Sequence, residues 1–389
     1  MTLFQRGFRP FFLLAGAQAS VSVLAWLGVF AGLFPAPGWL APSLWHAHEM
    51  LFGFVAAAAA GFLLTAAPTW TASAPVSGAP LAALATLWLA GRIAMALAGV
   101  LPLPVVAAAD LAFLPALAFA VARPILATRQ VRNAGFPLVL AALALLDLGA
   151  QLDACGLAPG LAPACIHGGV DLALVLIVLV GGRITPSFTA NALRRAGIAA
   201  QVRTRPWLDR LAVAAVIAAA ATELFAPRTR ISGSVSLLAA AAVAARMSGW
   251  QSRLTRGDPL LWSLHLGGAW VALGFAAVAL ADLTGLVPWA VGLHAQTTGA
   301  IGTMVLAVMT RVSLGHTGRP LVAPPSALAA YLLVSAGALA RTAGAVFAPP
   351  GEYLGVIALA GLLFAAAYGA FLVGYAPMLV SARSDGREG

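Results

Sequence analysis

The sequence predicts an all-α polytopic membrane protein of about twelve transmembrane helices. Three observations predict it. Apolar residues make up 61% of the 389 residues and charged residues only 9%, and the mean hydropathy is +0.95. That balance lies far outside the soluble range. Apolar runs of the ~20 residues needed to cross the hydrocarbon core recur along the whole chain. The 22 basic residues, all arginines, gather between alternate runs, which is a topology signal. The net charge of +10 does not point to nucleic acid, because no basic stripe with interleaved aromatics stands on a soluble domain.

Taken in order, the spans fall at about 11–34, 46–67, 79–98, 102–122, 135–154, 164–182, 208–226, 231–248, 259–281, 289–310, 324–346 and 353–380. The first follows Arg6 and Arg9, is longer than a signal-peptide core and lacks a convincing cleavage site, so it reads as a retained helix. Proline and glycine punctuate the connections, as in Pro35-Ala36-Pro37-Gly38 and Pro324-Pro325. The longest connection, about Arg183 to Trp207, reads as an arginine-rich loop. No connection is long enough for a soluble domain, so a single integral membrane domain over 1–389 is expected. Two cysteines, Cys155 and Cys165, provide no disulfide framework.

Orientation follows from the arginines. With the N-terminus inside, eighteen fall on the cytoplasmic side, and Arg92, Arg228, Arg230 and Arg341 do not. Both termini are therefore expected in the cytoplasm. This places His46 and His48 at the start of span 2, His167 at the start of span 6 and His294 near the start of span 10, all in the outer third of the membrane. His265 falls near the inner end of span 9, and His316 in the cytoplasmic loop after span 10.

The stretch Trp45-His46-Ala47-His48-Glu49-Met50 carries the first candidate site. Ionisable groups in a membrane-length segment are costly and mark sites. Imidazole suits iron, copper and zinc, and a thioether favours reduced copper. The alternative is that both histidines cap a helix at the water interface. Four histidines at one depth on three helices favour a shared site. Helices 2, 6 and 10 are four apart in order, which suggests three four-helix units arranged as in haem-copper oxidases, an analogy of architecture alone.

Other polar groups lie in or at the ends of spans: Glu49, Arg92, Asp110, Asp147, Asp171, Glu223 and Asp282. Asp171 stands one turn past His167 and shares its face. A carboxylate bonded to a ligating histidine fixes its tautomer, and Glu49, Asp147 and Asp171 are candidates for that role or for a proton path. The competing reading for each is an interhelical pair, such as Arg92 with an aspartate.

Three stretches together resemble the NnrS family of bacterial membrane proteins. They are Arg9-Pro10-Phe11-Phe12 with 45–54 and Gly61 to Thr71; Gly181 to Asn191; and His294 through Met309-Thr310-Arg311-Val312-Ser313-Leu314-Gly315-His316 to Pro320. Thr69 stands where the family's PNWT has asparagine. The resemblance implies a haem- and copper-containing inner-membrane protein tied to denitrification and nitric oxide stress. The haem expected is b-type, and no quinol site or C-x-x-C-H motif marks an electron route. The metal candidates are His46, His48, His167, His294, His265 and His316. Residues i and i+2 of a helix point about 200° apart, so His46 and His48 cannot serve one centre if both are helical. On that geometry His48 and His294 are the expected axial ligands, and His46, where the chain need not yet be helical, joins His167 on copper. Arg92, Arg183 and Arg311 are candidates to balance haem propionates, with His265 and His316 marking a possible cytoplasmic site.

The expected function is handling of nitric oxide or a related small molecule in the bacterial inner membrane, with an unidentified electron donor if the protein is an oxidoreductase. The alternatives are a proton-coupled secondary transporter and a non-catalytic haem-binding sensor or assembly factor. Transporters of this size commonly carry six-plus-six repeats, and 1–190 shows no good match to 200–389.

Overall fold

The computed structural model describes residues 2–349 and 351–387. Met1, Pro350, Glu388 and Gly389, included in the expected domain 1–389, lie outside the described residues. Among those described, twelve long helices follow one another without a strand. They are α1 Phe8–Phe30, α2 Pro42–Thr71, α3 Ala79–Ala96, α4 Leu103–Ala127, α5 Val131–Ala154, α6 Ala162–Arg195, α7 Pro206–Phe225, α8 Arg230–Met247, α9 Pro259–Thr284, α10 Trp289–His316, α11 Pro325–Phe347 and α12 Tyr353–Val380. Ten are long and apolar enough to cross a membrane. The other two, α7 and α8, carry Asp209, Arg210 and Glu223, and Arg230 and Arg246, within their length.

Three local expectations are corrected. Helix α6 does not end at Gly182 but runs through Pro186 to Arg195, so much of the expected arginine-rich loop is helical. A proline inside a helix removes one hydrogen bond, and here buried Thr189 bonds its hydroxyl back to the Thr185 carbonyl at 2.8 Å just beyond it. Likewise His316 is the last residue of α10 rather than part of the following loop. The segment around His46 is helical from Pro42, since a proline at the first helical position loses no bond.

The chain divides into two compact units. Unit 1 comprises 2–169, 311–320 and 372–387, and unit 2 comprises 170–310 with the described part of 321–371. This division cuts α6, α10 and α12 and does not follow the three four-helix groups suggested by the spacing of the histidines. Even so, the helices singled out by histidine are the most buried. Of their most apolar stretches, 83% of α2, 72% of α6 and 78% of α10 is buried, against 33–56% for the other spans. In unit 1, α1 and α4 pack on α2, α3 on α4, and α4 on α5. In unit 2, α8 packs between α7 and α9, and α9 and α11 pack on α10.

Small residues set these approaches, as expected where lipid gives helices no hydrophobic drive to associate. A Cβ on Gly292 of α10 would lie 2.8 Å from the Val278 nitrogen of α9, and one on Gly91 of α3 would lie 3.2 Å from the Asp110 Cα of α4.

Helices α2 and α10 share a further device. Each begins as a regular helix, reaches a histidine, and then widens into a seven-residue π-helix: Glu49–Val55 after His48, and Ala295–Ile301 after His294. A glycine follows each histidine by five residues, Gly53 and Gly299. A Cβ at Gly53 would meet Gln18, and one at Gly299 would meet the Trp270 ring. Such widened turns concentrate at functional sites.

Candidate functional site

In the interior of unit 1, four consecutive helices bring charged side chains to one place. Helix α2 supplies His48 and Glu49 at the start of its π-helical turn, α3 supplies Arg92, α4 Asp110 and α5 Asp147. All five are buried, and His48 has no exposed surface. Both ring nitrogens of His48 face carboxylates. Nε2 lies 3.1 Å from an oxygen of Asp110 and 3.1 Å from one of Asp147, while Nδ1 lies 3.3 Å from Glu49 Oε1. Arg92 bridges two of these carboxylates: Nη1 donates at 2.7 Å to Glu49 Oε1, the oxygen that also faces His48, and Nη2 donates to the other Asp110 oxygen, Oδ1.

Amides complete the network. Gln18 of α1 donates to Glu49 Oε2 at 2.8 Å, and Gln151, one turn after Asp147 on α5, donates to Asp110 Oδ2 at 2.6 Å. The widened turn of α2 is held from α3, where the Trp88 indole donates to the Gly53 carbonyl at 3.0 Å.

His48, Asp110 and Asp147 offer one ligand atom each, all within 4.8 Å of one another, and they form the only such group among the described residues. One imidazole and two carboxylates make a donor set that suits borderline divalent metals. The charges agree. Three carboxylates face one guanidinium, leaving two negative charges, the amount carried by one divalent cation beside a neutral histidine. The same balance holds with two protons instead.

The other expected site residues fall elsewhere. His46 stacks on Trp26 of α1, ring centroids 4.9 Å apart and planes 19° apart. The half-buried His167 stands in the unit 1 part of α6, outside the three-ligand group. His294, in unit 2, bonds Nδ1 to the Ala290 carbonyl at 2.8 Å. A carbonyl can only accept, so the proton sits on Nδ1 and Nε2 keeps its lone pair. His265, also in unit 2, is held at both nitrogens, by Thr189 Oγ1 at 2.9 Å and Ser252 Oγ at 2.8 Å. Arg183 lies in unit 2 with His265, while Arg311 and His316 lie in unit 1. Asp171 is buried in unit 2. Cys155 and Cys165 are both free thiols.

Sequence reasoning named Asp110 as a polar residue within a span and an aspartate as the partner of Arg92, but did not place Asp110 beside His48. The available signal was the pairing itself: one buried arginine, on the helix after that of His48, needs a carboxylate.

No match was found among curated proteins. The family model described as NnrS protein matches residues 2–383, nearly the whole chain, and the chain therefore belongs to the NnrS family.

Proposed function

We propose that this protein binds copper and haem in the bacterial inner membrane and handles nitric oxide there. Membership of the NnrS family supports a membrane protein of the nitric oxide response. The observation that carries the metal reading is the buried group of His48, Asp110 and Asp147. It fits a cupric ion by its nitrogen and oxygen donors and by its residual charge. Glu49 faces the His48 ring, Arg92 and Gln151 hold Asp110, and Asp147 is bonded to His48 itself.

The residues also fit haem. His294 directs its Nδ1 proton to a backbone carbonyl, the arrangement that leaves Nε2 basic and oriented for iron. Both ring nitrogens of His48 already face carboxylates, Nε2 two of them and Nδ1 one, so the geometry favours His48 as a copper ligand over a haem ligand. Bound haem and copper supply nitric oxide binding and one-electron transfer. Turnover draws on an electron donor outside this chain.

The test is the protein purified from a native-like host. A Soret band with copper near one per chain is the expected result, and consumption of nitric oxide with a supplied reductant separates an oxidoreductase from a sensor. A colourless, copper-free protein, fully loaded by its host, overturns the proposal and favours the transporter.

The arginine distribution supports cytoplasmic termini. A reporter active only in the periplasm should be silent when fused after Gly389 and active when inserted near Ala158. The opposite pattern inverts the topology.

A further inference from the structure

A second cluster of charge in unit 1 lies at the opposite end of its helices from the start of α2, where the beginning of α1 meets the ends of α10 and α12. Arg9 is fully buried there and donates Nη1 to the Leu379 and Ser381 carbonyls at 2.8 and 2.6 Å, capping α12. The segment after α12 straps the end of α10. Ser384 bonds its backbone nitrogen to the Thr317 carbonyl at 3.0 Å, and Arg383 donates Nη1 to the His316 carbonyl at 2.9 Å. The His316 ring lies 5.6 Å from that of Phe8. The charges of Arg319 and Arg383 act on Arg9, and those of Arg6 and Arg383 on His316.

Among the described residues this cluster holds one carboxylate, Asp385. Arg383 grips it with two bonds of 2.9 and 2.6 Å, and that fork holds its carboxyl down to about 2. Asp385 is therefore ionised throughout the physiological range and cancels Arg383. Arg9 is committed to the end of α12. Exposed Arg387 stands beside Asp385 and gives it a backbone hydrogen bond at 3.3 Å. Two further guanidiniums have no carboxylate bonded to them: Arg6, whose side chain makes no hydrogen bond among the described residues, and Arg319, whose Nη1 is buried with no hydrogen-bond partner. A buried guanidinium nitrogen left unmade is costly, and the fork geometry of arginine matches phosphate oxygens.

We propose that Arg6 and Arg319, with His316 beside them, bind a phosphate group, and that its source is the headgroup of an anionic phospholipid. The helix ends bring the site to the membrane surface, and the arginine distribution puts that surface in the cytoplasm, where anionic headgroups attract basic residues.

The test uses the full chain and the double variant R6Q/R319Q, purified side by side in mild detergent. Bound phospholipid is read by native mass spectrometry and by lipid extraction. The wild type should retain phosphatidylglycerol or cardiolipin, and the double variant about tenfold less. R319K, which keeps the charge, should retain most of it and covers the case in which the double variant fails to fold. In a second arm, delipidated protein is heated in inorganic phosphate and in chloride of equal ionic strength. Stabilisation by phosphate in the wild type alone, without retained lipid, identifies a free phosphate as the ligand and keeps the site. Equal lipid retention by wild type and R6Q/R319Q, or loss from R319K equal to that from the double variant, overturns it. So does the absence of both lipid and a phosphate effect.

Discussion

Arg92→Leu is expected to destabilise unit 1 by about 3–5 kcal/mol, the usual cost of stranding a buried charge by removing its partner. Arg92 is bonded to Glu49 and Asp110, and it is the only guanidinium in a network holding three buried carboxylates. Without it, Glu49 and Asp110 lose their charged partner in surroundings that neither water nor salt screens well. The comparison of thermal unfolding in detergent should therefore show a large loss for Arg92→Leu and a smaller one for Arg92→Lys, which keeps charge but loses the fork. Combining Arg92→Leu with Asp110→Asn should recover part of the loss. If Arg92→Leu unfolds within about 1 kcal/mol of the wild type, as exposed ion pairs do, the network does not hold unit 1 together.

The second large effect separates the two cofactors. His48→Ala and Asp147→Asn should each lower copper content by about tenfold or more while sparing the Soret band, since ligands and their supports carry metal affinity. His294→Ala should abolish or strongly shift the Soret band while sparing copper. His265→Ala should spare both, because that ring is already held by Thr189 and Ser252. Metal analysis and visible spectra on the same preparations read all four variants. Loss of the Soret band in His48→Ala with copper intact in Asp147→Asn would return His48 to the haem and leave the carboxylates as its supports.

The two π-helical turns bear on this assignment. They place His48 and His294 at the same register of two helices and leave them in different chemistry. His48 is enclosed by carboxylates, whereas His294 is anchored to its own backbone. A shared backbone device therefore does not imply a shared ligand. Neither turn was visible in the hydropathy pattern, because a one-residue widening changes which residues face a neighbour without changing how apolar they are.

By itself the sequence determined what local chemistry determines. Twelve apolar segments of membrane length became twelve helices in the expected order, because a backbone in lipid must bond within itself. Most of the residues that carried the family resemblance, at 45–54, 61–71, 181–191 and 294–316, lie on the three most buried of the membrane-length helices. The two-residue spacing of His46 and His48 already parted their side chains, one onto Trp26 and one into the interior.

Tertiary structure decided the partners. His48 and Asp147 are 99 residues apart, and Asp110 reaches His48 only because α3 and α4 approach closely at Gly91 and rotate their charges toward α2 and α5. Helix rotation is set by packing between helices, and nearly uniform runs of alanine and leucine do not record it. For the same reason the passage of α6 through Pro186, the capture of Arg9 by the end of α12 and the division into two units were settled by contacts distant in sequence.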